Sequence, residues 1–304
     1  MNGARPSSGR VCSQAHTRYL NAEAARLSVR QPSTVHRSRF TSSSALPVCL
    51  TIAGSDSGGG AGIQADLKTF AARGVFGTSA ITCLTAQNPG GVAGIHAAPA
   101  RFVALQIESV FDGFPVAAAK TGMLYSAAIV RAVVRCWRAR GCAAPPLVVD
   151  PVMLATSGAR LLRADAVRAL IEELLPLAAV VTPNLPEAEA LAGMTIRTPD
   201  GMAAAARRIH ARCGCACVVK GGHLQSGTSV LDVLWDGVRL HQFRCPRVAA
   251  HETHGTGCVF SATLAAGLAR GQSLPRATAA AQVTVCVALR RARPASMHWP
   301  LNLI

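Results

Sequence analysis

The residues Thr253-His254-Gly255-Thr256-Gly257-Cys258 set two glycines, two hydroxyls and a thiol directly ahead of the apolar run Val259–Leu268. Two glycines let a backbone turn tightly and come close to a ligand. The helix that the apolar run predicts aims its free N–H groups and its positive dipole end at whatever lies there. Such a terminus binds anions, phosphate above all. Cys258 ends the loop at a place where a thiolate would be stabilised, so it reads as a nucleophile or an acid/base group.

Further segments end a β-like run in residues suited to phosphates, bases or metal ions. Ala53–Lys68 joins a predicted strand to a predicted helix through five glycines in the nine positions Gly54–Gly62. Small residues and free N–H groups therefore sit at the strand's C-terminal end, where open α/β sheets bind ligands. The segment has neither the G-x-G-x-x-G spacing after the strand nor a G-K-[ST] tail, so neither a Rossmann fingerprint nor a Walker loop fits. Gln87, after Ile81–Ala86, carries donors and acceptors suited to the edge of a heterocycle, although alone it reads as a solvated loop residue. In Asp150-Pro151-Val152-Met153 a strand ends in a carboxylate that could hold a metal ion or a phosphate-bound water, or cap a turn.

In Thr182-Pro183-Asn184-Leu185-Pro186-Glu187, Asn184 and Glu187 have the spacing of a helix capping pair, and taken alone that is the reading preferred. The same spacing brings a neutral and an anionic oxygen to the sheet edge, which suits a water-rich Mg²⁺ site beside phosphates. Lys220 ends the run Cys217–Lys220 ahead of Gly221-Gly222-His223; it is one of three lysines in the chain, with Lys68 and Lys120, and can neutralise a phosphate. Cys213, Cys215 and Cys217 alternate without the paired spacing of zinc sites. They read as helix-end and strand positions. His251, Glu252 and His254 lack the H-E-x-x-H order of a zinc protease.

Groups this far apart in sequence need a common scaffold. Strands are predicted at Val48–Ala53, Ser79–Leu84, Ala117–Lys120, Leu147–Asp150, Val180–Thr182 and Cys217–Lys220. Helices are predicted between them at Gly62–Arg73, Ala100–Val110, Ser126–Arg140, Asp165–Leu174, Pro186–Leu191 and Pro199–Arg212. Such alternation implies βαβ units, a mostly parallel sheet and helices on both faces. A hairpin is expected from Ser229–Trp235 and Arg239–Arg244 around Asp236-Gly237, followed by helices over Gly257–Arg270 and Pro275–Arg291.

Half of the 304 residues are hydrophobic, enough for a sizeable core. No apolar stretch reaches the roughly 18 charge-free residues of a membrane helix, so no membrane partner is expected. The eleven cysteines are scattered through a core-rich chain, which points to a reducing cytoplasm rather than a disulfide scaffold. The formal charge is +16, but Arg5, Arg10, Arg18, Arg26, Arg30, Arg37 and Arg39 against Glu23 supply +6 of it within residues 1–46. The rest is spread thinly without interleaved aromatics, so no nucleic-acid partner is expected. Residues 1–46 read as a disordered or spurious extension in preference to a transit peptide, and residues 47–304 as a single α/β domain.

Taken jointly, Ala53–Lys68, Gln87-Asn88, Lys120-Thr121-Gly122-Met123, Asp150-Pro151-Val152-Met153, Thr182–Glu187, Lys220-Gly221-Gly222-His223 and His254–Cys258 resemble the ribokinase-like superfamily in identity and order. Within it they resemble the hydroxymethylpyrimidine/phosphomethylpyrimidine kinases of thiamine synthesis, over nearly the whole chain after the extension. A cysteine at the position of Cys258, where sugar kinases of the superfamily carry an aspartate, marks the pyrimidine branch. The resemblance implies a three-layer αβα sandwich, a homodimer, and ATP and Mg²⁺ as cofactors. It implies that Gln87 binds the aminopyrimidine, with Gly54, Ala61, Met123 and Val152 lining its pocket. Asn184 and Glu187, assisted by Asp150, would organise Mg²⁺ and its waters. Lys220, Gly221 and Thr256 would contact the nucleotide. Gly255, Thr256, Gly257 and Cys258 would form the anion hole, with Cys258 as thiolate the candidate base.

Two positions depart from the family pattern. Ser57-Gly58-Gly59 has a glycine where relatives often have serine. The C-terminus, Pro294–Asn302, keeps only the Pro-Leu-Asn end of the family's glycine-rich closing stretch, which would weaken substrate closure or handling of the monophosphate. The alternatives are a pyridoxal kinase on the same fold and a low-turnover pyrimidine-binding relative.

Overall fold

The computed structural model describes residues 45–88, 90–153, 162–222, 224, 227–249, 254–295 and 298–303. The expected extension, apart from its last two residues, lies outside the described residues, as do His223, His251, Glu252, Thr253, Ser296 and Met297.

Among the described residues nine strands form one sheet. They are β1 Val48–Asp56, β2 Phe76–Asn88, β3 Gly91–Ala97, β4 Val116–Thr121, β5 Leu147–Val149, β6 Val180–Val181, β7 Ala216–Val219, β8 Ser229–Trp235 and β9 Leu240–Pro246, in the spatial order β3-β2-β1-β4-β5-β6-β7-β8-β9. From β2 to β7 every neighbouring pair is parallel, and β3, β8 and β9 add antiparallel edges.

The helices are α1 Gly62–Ala72, α2 Ala100–Gly113, α3 Ala127–Arg140, α4 Ala164–Ala169, α5 Leu185–Ala192, α6 Pro199–Cys213, α7 Thr256–Ala269 and α8 Leu274–Arg290. Both faces of the central strands are covered, and for that reason their sequences are mostly apolar, broken by the buried Thr51 in β1 and Lys120 in β4. Alternate residues still face opposite layers. Leu50, Ile52, Leu147, Val149, Val181 and Val219 pack with Ile129, Val133, Leu170 and Met202 on the α2–α6 side. Cys49, Ala118, Val148, Val180 and Val218 pack with Phe70, Phe260, Leu264 and Ala281 of α1, α7 and α8.

α7 is buried along its length from Val259 to Gly267. Val259, Phe260 and Leu264, at about 1.5–3 kcal/mol of burial each, fix where its N-terminus opens at the sheet edge.

The fold expected from the sequence is present, with three differences. β3 was not foreseen: two glycines and half-exposed side chains hide an edge strand. β2 is longer than the predicted Ser79–Leu84, so Gln87 stands on a paired strand and is no loop residue. The predicted helix Asp165–Leu174 is α4 followed by a π-helical turn over Leu170–Leu174 and a 3₁₀ turn over Leu175–Leu177, where Pro176 cannot continue an α-helix.

Candidate active site

Gly255 is the N-cap of α7 with φ +83°, the left-handed region that glycine enters without strain. A Cβ there would also run into the carbonyl oxygen of Gly60. Two residues on, a Cβ at Gly257 would stand 3.4 Å from Lys220 Nζ and 3.6 Å from Asp150 Oδ2. The first turn of α7 therefore passes directly over an ion pair, Lys220 Nζ to Asp150 Oδ1 at 3.2 Å. Ser261, one turn further along α7, donates to Asp150 Oδ2 at 3.1 Å.

Lys220 reaches this place because the β6–β7 pairing continues past the strands. Its N–H donates to the Pro183 carbonyl at 2.9 Å, and it bridges to Asn184. Burial alone would lower the Lys220 pKa, but Asp150 and Glu187 outweigh it and keep the ammonium charged.

Asn184 and Glu187 form a complete capping box on α5. The Asn184 side chain accepts from the Glu187 N–H at 2.9 Å, and Glu187 Oε2 accepts from the Asn184 N–H at 2.9 Å. Glu187 Oε1 accepts from the Met153 N–H at 3.1 Å, tying the chain after β5 to the start of α5. Burial pushes the Glu187 carboxyl up, with Asp150 adding repulsion and Lys220 opposing both. The cap expected from the spacing is present, and it holds the carboxylate against the Lys220–Asp150 pair.

Each oxygen of Glu187 already accepts one backbone N–H, and Asp150 accepts from Lys220 and Ser261. Among the described residues no group of three His, Cys, Asp or Glu side chains could ligate a metal directly. What remains are single carboxylate lone pairs, which suits a hydrated Mg²⁺ held through its waters.

Cys258 differs from the sequence expectation. Burial pushes its thiol up to about 11, although Lys120 acts in the opposite direction. It is a neutral thiol, because desolvation outweighs Lys120 and the hydrogen bond from the Gly62 backbone. The sequence assigns Lys120 no role, although it stands in the Lys120–Met123 motif. It is fully buried on β4 and paired at 2.9 Å with Asp66 of α1, which also accepts from the Thr51 hydroxyl at 2.6 Å. Burial would lower its pKa; Asp66 outweighs this and raises it, so a permanent cation lies near the thiol. The rarity of lysine in this chain was the available signal.

Gly54, Ala61, Gln87, Met123 and Val152 line the part of the site reached from β1, with Ala61 and Gln87 directly beside the His254–Gly255 turn. Asp56, at the end of β1, accepts from the N–H groups of Gly58, Gly60 and Ala61 and folds the glycine-rich loop around its carboxylate. Val152 is held at φ +42°, costly for a β-branched residue and found where surrounding structure imposes it.

One cavity of about 910 Å³ joins these groups. It is lined by Gly54, Ala61, Gln87, Met123, Val152, Asp150, Asn184, Glu187 and Lys220, and by every residue from Gly255 to Cys258. Gly221 does not line it; its N–H donates instead to Asp232 of β8 at 2.9 Å, and Gly222 faces the cavity. From β1 to β8 the cavity crosses five strand intervals, roughly 24 Å at about 4.8 Å each, the length of two substrates end to end. Its β8–β9 end sets Val230, Val248, Val285 and Leu289 beside Asp232, Arg247 and Gln282. Among the described residues none after Leu289 lines it.

Comparison with known proteins shows the family and the fold. The phosphomethylpyrimidine kinase family matches residues 56–302. The thiamine biosynthesis bifunctional protein of Geobacter sulfurreducens is 49% identical over 84% of this chain, which spans 52% of that protein, about half its length. The hydroxymethylpyrimidine/phosphomethylpyrimidine kinase of Rhizobium meliloti is 48% identical over 81% of this chain and 91% of its own. Among solved structures, the ADP complex of Bacillus subtilis pyridoxal kinase superposes with a TM-score of 0.78 at 36% identity, covering 85% of this chain and 97% of that one.

Proposed function

The chain belongs to the phosphomethylpyrimidine kinase family, and from that premise we propose that it transfers the γ-phosphoryl group of ATP first to 4-amino-5-hydroxymethyl-2-methylpyrimidine and then to its monophosphate, serving thiamine biosynthesis or salvage. The observation that carries this reading is the convergence of the Gly255–Cys258 loop on Lys220 and Asp150 inside the cavity that also holds Gln87.

In the first reaction the hydroxymethyl oxygen attacks the γ-phosphorus in line. The new O–P bond forms as the bond to the β–γ bridging oxygen breaks, and ADP leaves. The loop N–H groups and the Lys220 ammonium receive the charge on the transferring oxygens. The hydroxyl proton departs late, because a loose transition state places little charge on the nucleophile. Cys258 is the acceptor proposed for it and can serve only as thiolate, so its own proton must first pass to solvent; burial works against that ionisation and Lys120 works for it. Gln87 orients the ring, with Gly54, Ala61, Met123 and Val152 packed around it. Mg²⁺, held by Asn184, Glu187 and Asp150 through its waters, would neutralise the β- and γ-phosphates. In the second reaction a phosphate oxygen of the monophosphate makes the same attack, and the cations of the site offset the added charge.

The reading includes a cytoplasmic homodimer of the kinase domain 47–304, with no nucleic-acid or membrane partner and with residues 1–46 outside the catalytic unit. The exposed Phe76–Phe114 stack, and the exposed Phe102 and Leu105 on α2, support a second copy as partner. No helix among the described residues is long and apolar enough to cross a membrane. Pyridoxal is the second acceptor to consider, because a pyridoxal kinase shares the fold over most of this chain.

ADP release by the purified protein with hydroxymethylpyrimidine, its monophosphate, pyridoxal or no acceptor tests the reading. Turnover is expected with both pyrimidines. Faster turnover of pyridoxal than of either would replace it with the second reading, and pyrimidine binding without ADP release would leave only a binding protein.

A further inference from the structure

Gln87 is tightly held everywhere except at its amide. Ser57 Oγ donates to the Gln87 carbonyl at 2.7 Å and accepts from the Gln87 N–H at 2.8 Å, which pins the backbone. The side-chain amide lies between Thr85 Oγ1, 3.3 Å from its oxygen, and His254 Nε2, 3.4 Å from its nitrogen. The same His254 Nε2 stands 3.3 Å from Asp56 Oδ2.

Proton counting restricts how these groups can pair. The Thr85 hydroxyl has a single hydrogen, and its shorter contact, 2.9 Å, is to the Ser55 carbonyl, which can only accept. Thr85 Oγ1 must then accept from Gln87. Asp56 is ionised: burial opposes this, but hydrogen bonds from His254 and from the N–H groups of Ala61 and Gly58 outweigh it and hold the carboxyl below its ordinary range. An ionised oxygen at that distance requires a hydrogen on His254 Nε2, so this nitrogen cannot also accept from an amide N–H. Both demands are met when the amide oxygen faces the imidazole and the NH₂ faces Thr85. A half-turn about Cγ–Cδ gives that arrangement and leaves the occupied volume unchanged.

We propose that the His254–Asp56 pair is a positioning device that locks the Gln87 amide in this orientation and so selects rings bearing an amino group beside a ring nitrogen. In that orientation His254 Nε2–H is shared between Asp56 and the amide oxygen. One amide N–H and one carbonyl lone pair remain for the cavity. They complement a ring nitrogen and its neighbouring amine, as a glutamine does when it pairs with adenine. A ring with an oxygen anion in place of the amine meets the amide carbonyl without a hydrogen between them. The proposal rests on the assignment of Gln87 as the pyrimidine contact.

Calorimetric titration of 4-amino-5-hydroxymethyl-2-methylpyrimidine, with ADP titrated in parallel, tests it on wild type, His254→Leu, His254→Gln, Gln87→Leu and the double variant His254→Leu/Gln87→Leu. In His254→Leu the pyrimidine is expected to bind roughly tenfold or more weakly, while the ADP affinity stays within about twofold. His254→Gln keeps an N–H for Asp56 and Gln87 and should recover most of the loss. In the Gln87→Leu background, His254→Leu should add nothing, because it acts through the missing amide. Equal pyrimidine affinity in wild type and His254→Leu, additive losses in the double variant, or equal losses for pyrimidine and ADP would each overturn the positioning role. Where His254→Leu lowers the melting temperature, His254→Ala carries the same expectations. A wild-type protein that neither binds nor phosphorylates the pyrimidine removes the functional reading and this inference together, which separates the two failures.

Discussion

Gly257 and Gly255 stand two residues apart at the start of α7, and alanine should act on them with opposite signs in stability. At Gly257 the added methyl would lie 3.4 Å from Lys220 Nζ and 3.6 Å from Asp150 Oδ2, ordinary contact with nothing forced aside. The backbone there is in the helix and not at positive φ, so Gly257→Ala should gain the helical advantage of alanine, roughly 0.5–1 kcal/mol. For a domain of this size that is a melting temperature higher by about 1–4 °C. The same methyl fills the space between the loop N–H groups and the Lys220 ammonium, where the phosphoryl oxygens must fit. Removing a preorganised oxyanion donor costs about 10²–10³ in turnover, and kcat/KM in a coupled ADP-release assay should fall by that order. Gly255→Ala should instead lose stability along with activity. Its φ of +83° and the Gly60 carbonyl leave no room for a Cβ, and the left-handed conformation alone costs an L-residue about 1–2 kcal/mol. Wild-type kcat/KM in Gly257→Ala would refute the anion hole, and clear destabilisation of Gly257→Ala would refute the packing described above.

With a pKa of about 11 for Cys258, iodoacetamide labelling of that residue, followed by peptide mass spectrometry, should be slow near pH 8 and climb about tenfold per pH unit to about pH 10; a plateau already reached at pH 8 would mean a stabilised thiolate. Cys258→Ala should lower turnover far more than ATP affinity, and equal losses in both would remove its chemical role. Lys120→Met leaves Asp66 buried with only the Thr51 hydroxyl of its two side-chain partners, which should cost about 3–5 kcal/mol in urea unfolding. Lys120→Met with Asp66→Asn should recover part of that, and a single variant as stable as wild type would contradict the buried pair.

The residues that could be read from the chain share one property: each stands where a recognisable element begins or ends. Lys220, Asn184 and Gly255–Cys258 are adjacent to strand ends or helix starts that apolar runs and glycines announce, and parallel sheets gather such ends at one edge. β3 was hidden because Gly91 and Gly94 dilute a half-exposed edge strand. The Thr51–Asp66–Lys120 network was hidden for a different reason. Its members come from three elements, with Asp66 and Lys120 54 positions apart, and a lysine at the penultimate position of a buried strand carries no local mark of its partner. Burial, equally invisible in the sequence, is what separates the Cys258 thiol from the thiolate expected there. A helix terminus favours an anion by at most about 2 kcal/mol, whereas burying a charge without a partner can move a pKa by several units, about 1.4 kcal/mol each. From sequence only the first effect is visible, so the thiolate looked favourable. With burial included the thiol is neutral, and its ionisation turns on Lys120, whose charge is shared with Asp66. The proton-accepting capacity of Cys258 is thus set beneath the loop, by groups that the loop's own sequence does not contain.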